Sequence, residues 1–269
     1  MSESLQCAII QAPPVFLNLE ASVDRALELL GQARETGAEF IAFGETWLTG
    51  YPVWIDSAPR AAIWGEESAK AIYRRLFEQS PTLDGPEVRK LHERAADLDC
   101  DVVLGMHEKS GNTLYNTLLM LGRDGQTRVP RRKLVPTYTE RMIWGRGDGS
   151  TLGTLDTRSG PAGAMICWEH WMPALRQVMH AEHEVLHVAL WPTAHDLHQL
   201  ASRQYAFEGG CYVLCCGSTL TRTEAIEGYR SLGEDEGVRL LESIEDEQLM
   251  SGGAAIIGPD THYVAGPAG

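Results

Sequence analysis

The feature that most constrains this sequence is the alternation of short apolar runs with amphipathic helical patterns. A strand-like run at residues 5–11 precedes a helical pattern at 19–34, and a second strand-like run follows at 39–43. Parallel strands need a long crossover between them, which is usually a helix. Strand, helix and strand in this order therefore predict a βαβ unit at the start of the chain.

The same alternation continues along the rest of the sequence. Helical periodicity returns at residues 59–79 and 87–98, and two further helices are predicted to begin at Pro173 and Asp196. Many strands with helices on their outer faces predict an α/β fold in which two sheets pack face to face under helices. The further strand-like runs lie at 101–106, 114–121, 126–133, 163–167, 185–191, 211–216 and 254–258.

Composition limits the class of protein. A chain of 269 residues, 43% of them hydrophobic, can bury one large core, so we expect a single domain over residues 1–269. No apolar run approaches the roughly 20 residues needed to cross a bilayer, and no basic secretory signal opens the chain. Six cysteines in this composition do not resemble a disulfide framework. We therefore expect reduced thiols and a cytoplasmic location.

The net charge and one acidic segment bear on the expected partners and on local order. The formal net charge of −14 repels phosphate backbones, so nucleic acid is not an expected partner. The stretch at residues 224–247 is rich in acidic residues and glycine. It predicts either an exposed helix-loop region or a mobile lid, and the least ordered part of the chain.

Reactive side chains follow three of the predicted strands. Glu45, Lys133 and Cys167 each lie at or just beyond the C-terminal end of an apolar run. Taken singly, the acid and the lysine fit solvated surface charges, and a free cysteine is often a small buried hydrophobe. A thiol at a strand-to-helix junction, however, lies near main-chain N–H groups that favour the thiolate. The position of Cys167 therefore also suits a nucleophile.

Three segments together resemble the signature regions of the nitrilase superfamily. They are Phe-Gly-Glu-Thr-Trp at 43–47, Arg-Lys-Leu-Val-Pro-Thr at 132–137 and Cys-Trp-Glu at 167–169, in the family's order. The resemblance extends from about residue 5 to about residue 266, and three ordered motifs are more specific than any one. The Cys-Trp-Glu form, followed by Met172 and Pro173, is similar to the true nitrilase branch. Amidase relatives usually carry another residue after the cysteine.

The resemblance implies a catalytic triad of Glu45, Lys133 and Cys167. A second glutamate, Glu140, would support the lysine and help to position the substrate. Cys167 would attack a nitrile carbon, Glu45 would take the thiol proton and later activate water, and Lys133 would stabilise developing negative charge. Thioimidate and thioester intermediates would lead to a carboxylic acid and ammonia. This chemistry needs no cofactor and no metal.

The resemblance also implies a fold and an assembly. The expected fold is a four-layer α-β-β-α sandwich, and the expected assembly is a homo-oligomer, a dimer or larger. The family normally continues well past the strand near Gly258, whereas this sequence stops at Gly269, so we expect a form without the usual C-terminal extension. His170 stands where many nitrilases have Asn, and we expect it to tune the pocket and not the reaction class.

Aromatic residues in or beside the signature segments are candidates for substrate binding. Ligand sites favour aromatic walls, which supports a role in the pocket. Ordinary core packing is an equally good explanation for each of these residues, which are Tyr51, Trp144, Trp168 and Trp191.

Other functions stay open beside a nitrilase. An amidase or carbamoylase of the same superfamily would use the same residues, and an inactive nitrilase-like chain would serve as an assembly or binding module. A zinc hydrolase is disfavoured, because neither His183 with His187 nor His195 with His198 lies in a recognisable zinc-binding motif.

Overall fold

Two β-sheets form the centre of the protein in the computed structural model, which describes residues 4–268. In the first sheet, the first three strands are parallel and the last two add as antiparallel neighbours. In spatial order, these strands are β1 (Cys7–Ile10), β2 (Phe40–Phe43), β3 (Asp101–Ser110), β4 (Thr113–Leu121) and β5 (Arg128–Arg132).

The second sheet has three parallel strands at its centre and antiparallel strands on both sides. In spatial order, they are β13 (Tyr263–Ala268), β12 (Ala254–Ile257), β9 (Tyr212–Cys216), β8 (Leu186–Leu190), β7 (Gly160–Ile166) and β6 (Leu155–Thr157). A separate antiparallel pair is formed by β10 (Thr219–Thr221) and β11 (Gln248–Ser251).

Helices cover the outer face of each sheet. α1 (Leu19–Glu35) and α4 (Pro86–Asp97) pack on the first sheet, whereas α5 (Pro173–Ala181) and α6 (Asp196–Gly209) pack on the second. Successive side chains of a strand point to opposite faces. Accordingly, Ile41 and Phe43 of β2 join the helix-covered core, while Phe40 and Ala42 join the core shared with the second sheet. The predicted four-layer α-β-β-α sandwich is therefore confirmed.

A third apolar cluster involves the remaining helices, which are α2 (Trp54–Ser57), α3 (Glu67–Glu78), α7 (Arg222–Arg230) and α8 (Val238–Glu242). Tyr229 and Leu240 are buried in this cluster with Ile72. Residues 224–247 thus form the expected helix-loop region, but it is only partly exposed. Most of its acidic side chains and Leu232 are exposed, whereas most of its other apolar side chains are buried in this cluster. No helix within residues 4–268 is long and apolar enough to cross a membrane.

Most predicted elements lie within a few residues of the observed ones, but one helix is shorter than predicted, and the short strands β6, β10 and β11 were missed, as was β13. The helix predicted at residues 59–79 begins only at Glu67, because Trp64 is fully exposed and Gly65 adopts a φ of 86°. β13 was not predicted. All of its residues are exposed at the edge of the sheet, so no alternation of apolar and polar side chains marks it.

Strand direction brings two of the reactive residues to one edge of the first sheet. β5 runs parallel to β2 and β3, because both β3 and β5 pair antiparallel with β4. Glu45 follows the end of β2 and Lys133 follows the end of β5, so both lie at the same edge. Cys167 follows the end of β7 in the facing sheet.

Candidate active site

Glu45 and Lys133 form a buried ion pair. Lys133 Nζ lies 2.8 Å from Glu45 Oε1, and Asn116 of β4 donates to the same oxygen across 2.7 Å. Both charged side chains are almost completely buried. Within residues 4–268, the second oxygen of this carboxylate, Glu45 Oε2, has no hydrogen-bond partner. It is therefore available to accept a proton from a neighbouring group.

The main chain around Glu45 is held from both sheets. Glu45 N donates to Trp191 O at 3.1 Å, across to the strand end of β8. On the other side, a Cβ placed on Gly105 of β3 would collide with the main chain of Gly44 and Thr46. Only glycine permits this close approach. The carboxylate is thus positioned by packing on both sides as well as by its own hydrogen bonds.

Glu140 is the second carboxylate on Lys133. Its two oxygens lie 3.0 and 2.7 Å from Lys133 Nζ. Glu140 belongs to the short 3-10 helix Tyr138–Met142, and its Oε2 accepts from the N–H of Thr137, just before the helix, at 2.6 Å. Tyr51 OH donates to Glu140 Oε1 at 3.0 Å. Lys133 is therefore fixed between two carboxylates that are themselves anchored.

Cys167 begins the 3-10 helix Cys167–Trp171 and has a φ of 51°. This left-handed conformation is uncommon for a residue with a side chain and must be held by its surroundings. Its Sγ and a carboxylate oxygen from each of Glu45 and Glu140 all lie within 4.8 Å of one another. Together with Lys133, the four predicted residues therefore converge in one buried cluster.

Charge balance explains the pKa values in this cluster. Burial raises the pKa of Glu45 to about 7 against the opposing charge of Lys133, and the charge of Glu140 adds to the rise. Burial alone would lower the pKa of Lys133, but the negative groups around it raise the value. Because two carboxylates share one ammonium, the site readily keeps an additional proton on Glu45.

Burial and the neighbouring charges also shift the pKa of the Cys167 thiol. Burial and the charge of Glu45 raise the pKa of Cys167 well above its usual value. The expectation that the strand-to-helix junction favours a thiolate is therefore wrong for the resting site. The raised pKa favours the thiol over the thiolate, so Cys167 must lose its proton as it attacks.

A cation already lies between the two carboxylates. Cysteine and two glutamates are residue types that bind metal ions, and this is the one such cluster within residues 4–268. However, Lys133 Nζ contacts both carboxylates at 2.7 to 3.0 Å and so takes the place of a cation between them. The lysine gives the cluster its positive charge.

The two histidine pairs that were considered as zinc ligands lie outside the buried cluster. His187 lies in β8, where its ring contacts other buried side chains, whereas His183 follows α5. His195 N donates to His198 Nδ1 at 3.0 Å, at the start of α6. Neither pair is part of the buried cluster.

A buried ion pair ties the lysine segment to the cysteine segment. Arg131 Nη1 donates to Glu169 Oε1 at 2.9 Å, and Arg131 Nη2 contacts the other oxygen. Glu169 also accepts from Leu134 N at 2.9 Å and from Ile166 N at 2.7 Å. Leu134 follows the lysine and Ile166 precedes the cysteine, so Glu169 sets the distance between the two segments.

The aromatic candidates lie in different settings. The rings of Tyr51 and Trp144 pack together beside Glu140, with 5.9 Å between their centroids. Trp168 is 48% exposed, immediately after the cysteine. The indole of Trp191 is completely buried and donates to Ser202 Oγ at 3.1 Å. The structure thus brings Tyr51 into direct contact with the cluster, and Trp191 reaches it through its main chain.

Sequence reasoning missed the groups that hold the cluster together. Asn116 lies in the middle of β4, and no motif marks it. Arg131 directly precedes the second signature segment, and Glu169 ends the third. Their opposite charges, one beside and one inside two motifs already expected to meet, were a usable signal.

Comparison with known proteins decides the family. Residues 6–269 match the profile of carbon-nitrogen hydrolases. The chain belongs to the carbon-nitrogen hydrolase family. It is 37% identical to a nitrilase of Pseudomonas syringae pv. syringae, over 100% of this chain and 79% of that protein. It is 35% identical to an aliphatic nitrilase of Rhodococcus rhodochrous, over 99% of this chain and 72% of that protein.

Solved structures of carbon-nitrogen hydrolases have the same fold. A CN-hydrolase superfamily protein from Xanthomonas campestris superposes with a TM-score of 0.66 over 98% of this chain and 86% of that chain. Its sequence is only 13% identical, so this likeness concerns the fold alone. The family predicted from the three signature segments is confirmed, and so is the class of enzyme: a hydrolase that acts on carbon-nitrogen bonds other than peptide bonds.

Proposed function

We propose that this carbon-nitrogen hydrolase converts an organic nitrile into the carboxylic acid and ammonia, with Cys167 as its nucleophile. The observation that carries the proposal is the buried convergence of Cys167, Glu45, Glu140 and Lys133. The nitrilases to which the chain is similar over its whole length support a nitrile as the substrate class.

The first steps join the substrate to the enzyme. As the Cys167 sulfur attacks the nitrile carbon, Glu45 Oε2 takes the thiol proton and passes it to the nitrile nitrogen. One S–C bond forms, one π bond of the nitrile breaks, and the product is a thioimidate. A pKa of about 7 suits Glu45 to this task, because a proton shuttle works best near the working pH. Lys133 supplies fixed positive charge where negative charge develops.

Two water molecules complete the reaction. The first, deprotonated by Glu45, adds to the thioimidate carbon, and the resulting adduct releases ammonia as its C–N bond breaks. The second attacks the remaining thioester and breaks the S–C bond. The acid leaves, and the proton returns to the Cys167 sulfur, so the resting thiol is restored. The role of Glu140 is to hold Lys133 in place during both stages.

The proposed pocket walls follow from the positions of the aromatic residues. Tyr51 and Trp144 are assigned to the wall beside Glu140, because Tyr51 donates to that carboxylate and packs on Trp144. Trp168 is assigned to the entrance, since it is half exposed next to the nucleophile. For Trp191 we propose a supporting role, in which its main-chain oxygen holds the base.

Ammonia release from a panel of nitriles and primary amides tests the proposal. We expect the wild-type protein to turn over nitriles and Cys167→Ala to be inactive. Cys100→Ala serves as the matched control, because Cys100 is a buried thiol in the helix-covered core of the first sheet. Turnover of amides alone would assign an amidase or carbamoylase, and no turnover by folded protein would favour an assembly or binding module. Full activity of Cys167→Ala would exclude the mechanism.

We also propose that the chain forms a homo-oligomer through its outer helices. Leu197, Leu200 and Phe207 lie three and seven residues apart on α6 and are exposed, with Phe207 at 69%. Val178 on the adjacent α5 is exposed as well. Large apolar side chains grouped on a surface are typical of protein interfaces. A second copy of the chain is the proposed occupant of this face.

Two broader expectations remain proposals. The chain is proposed to fold as one domain, because the core between the sheets draws on strands from both halves of the sequence. A cytoplasmic location remains a prediction, and the unpaired state of all six cysteines agrees with a reducing compartment.

A further inference from the structure

A row of buried polar side chains leads from the main chain of the nucleophile into the second sheet. His170 Nδ1 lies 2.8 Å from Cys167 O, and His170 Nε2 lies 3.0 Å from His187 Nε2. His187 Nδ1 in turn lies 2.8 Å from Glu184 Oε2, and Tyr205 OH donates to Glu184 Oε1. All of these side chains are buried, and the proposed reaction uses none of them.

Hydrogen-bond directions in this row are strongly restricted. A carbonyl oxygen only accepts, so His170 Nδ1 must carry a proton. One proton lies between His170 Nε2 and His187 Nε2, and another lies between His187 Nδ1 and Glu184. In every arrangement that meets these conditions, the two histidines and Glu184 together have a net charge of zero. The remaining question is which of the two histidines carries the shared proton.

The surroundings of His170 answer this question. Burial holds the pKa of His170 well below its usual value, and the neighbouring His187, Arg131 and Arg176 act in the same direction, against the hydrogen bond to Cys167 O. Arg176 Nη1 also donates to His170 O at 3.0 Å. His187, by contrast, faces the carboxyl group of Glu184. His170 is therefore neutral, with its proton on Nδ1, and His187 donates to it.

We propose that His170, as the neutral Nδ1–H tautomer set by His187 and Glu184, is a positioning residue for Cys167. Its N–H holds the Cys167 carbonyl and so restrains the planar peptide unit that follows Cys167. This restraint supports the left-handed main-chain conformation of Cys167, whose φ is 51°. The inference rests on the proposed role of Cys167 as nucleophile.

The strained conformation of the nucleophile makes this hydrogen bond consequential. Without a donor at residue 170, the main chain of Cys167 relaxes toward more common φ values, and the sulfur moves relative to Glu45 and Lys133. We expect such a change to lower kcat and to leave KM nearly unchanged, because the proposed pocket walls are not involved. The loss of one neutral hydrogen bond corresponds to a decrease of about tenfold.

Two variants at residue 170 separate positioning from simple packing. His170→Phe keeps a buried ring but lacks a donor, and we expect the decrease in kcat. His170→Asn keeps an N–H donor for the Cys167 carbonyl, and we expect it to restore most of kcat. An unchanged kcat in folded His170→Phe, or an Asn variant no better than Phe, would overturn the proposal. Tyr205→Phe removes only the far end of the row and should lower kcat less than His170→Phe.

NMR of protein labelled with ¹⁵N in its histidine rings tests the tautomer without any activity assay. The signals of His170 are assigned by their loss in His170→Asn. His107 is a built-in control with the opposite tautomer: its Nε2 lies 2.9 Å from Gly50 O, and its Nδ1 accepts from Trp144 Nε1 at 3.1 Å. We expect a proton on Nδ1 of His170 and on Nε2 of His107, both neutral at pH 7.

The outcomes separate this inference from the proposed function. Protonation of His170 on Nε2, or on both nitrogens, would overturn the inference while leaving the role of Cys167 intact. Full activity of Cys167→Ala would overturn the proposed function, whatever the tautomer of His170.

Discussion

At the scale of single residues, strained main chain occurs beside the reactive groups. Thr46, Tyr138 and Cys167 have φ values of 43°, 44° and 51°, and each lies in or next to a segment that carries a reactive side chain. Such conformations cost of order 1–3 kcal/mol each and persist only where the surrounding structure holds them. They place the side chains of Glu45, Glu140 and Cys167 toward one point.

The raised pKa of Glu45 gives a prediction for the pH dependence. A carboxyl group whose pKa is about 7 is protonated below that value and cannot act as a base there. We therefore expect kcat/KM of the wild-type protein to fall as the pH decreases through about 7. Glu45→Gln should lower kcat at least about 100-fold, because general-base catalysis contributes that much or more. Steady-state kinetics from pH 5 to 9 measures both effects.

A second buried carboxylate provides the control for this prediction. Glu108 is equally buried, but it pairs with Arg132 and Thr117, not with Lys133. Glu108→Gln should keep the decrease of kcat/KM below pH 7. If Glu45→Gln kept the same pH profile and rate as the wild-type protein, Glu45 would not be the base.

At the scale of elements, the site is made where strand ends of two sheets meet. The chain order of the core strands and of the helices between them could be predicted, because short apolar runs mark the strands and amphipathic patterns mark the helices. Cys167, Lys133 and Glu45 could be predicted because they follow such strands within short motifs. Asn116 and Glu184 could not, because each acquires its role only through contacts with segments distant in sequence. Exposed β13 carries no periodicity at all.

The ion pair between Arg131 of β5 and Glu169, in the 3-10 helix that follows β7, leads to a prediction for stability. Glu169→Gln leaves the buried guanidinium of Arg131 without its counter-charge, and breaking a buried pair in this way typically costs about 3–5 kcal/mol. We expect a loss of that size in the free energy of unfolding, measured with urea, together with a lower kcat.

An exposed ion pair is the matched control for the buried one. Glu28 pairs with Arg25 on the surface of α1, at 2.9 Å. Glu28→Gln should change the free energy of unfolding by less than about 1 kcal/mol. Equal effects of the two substitutions would show that Glu169 does not join the two segments as described.

At the scale of the whole molecule, α5 and α6 carry a group of exposed apolar side chains on their outer face. Leu200 and Phe207 are 53% and 69% exposed, so no part of residues 4–268 covers them. We expect Phe207→Asp to shift the protein toward a monomer in sedimentation velocity, because a carboxylate in an apolar contact remains without a partner.

Leu232 supplies the comparison for this surface. It is an exposed apolar residue between α7 and α8, away from α6 in the sequence. Leu232→Asp should leave the sedimentation coefficient unchanged. A wild-type protein that sediments as a monomer at micromolar concentration would contradict the proposed assembly.

The covalent intermediate on Cys167 is the step on which the proposed mechanism depends, and mass spectrometry can detect it directly. Turnover of a slowly hydrolysed nitrile is stopped with acid, and the mass of the intact protein is then measured. We expect an added mass equal to the thioimidate or the thioester, mapped to Cys167 in a peptide digest and absent from Cys167→Ala. Formation of the acid without any adduct, or with the adduct on another residue, would contradict it.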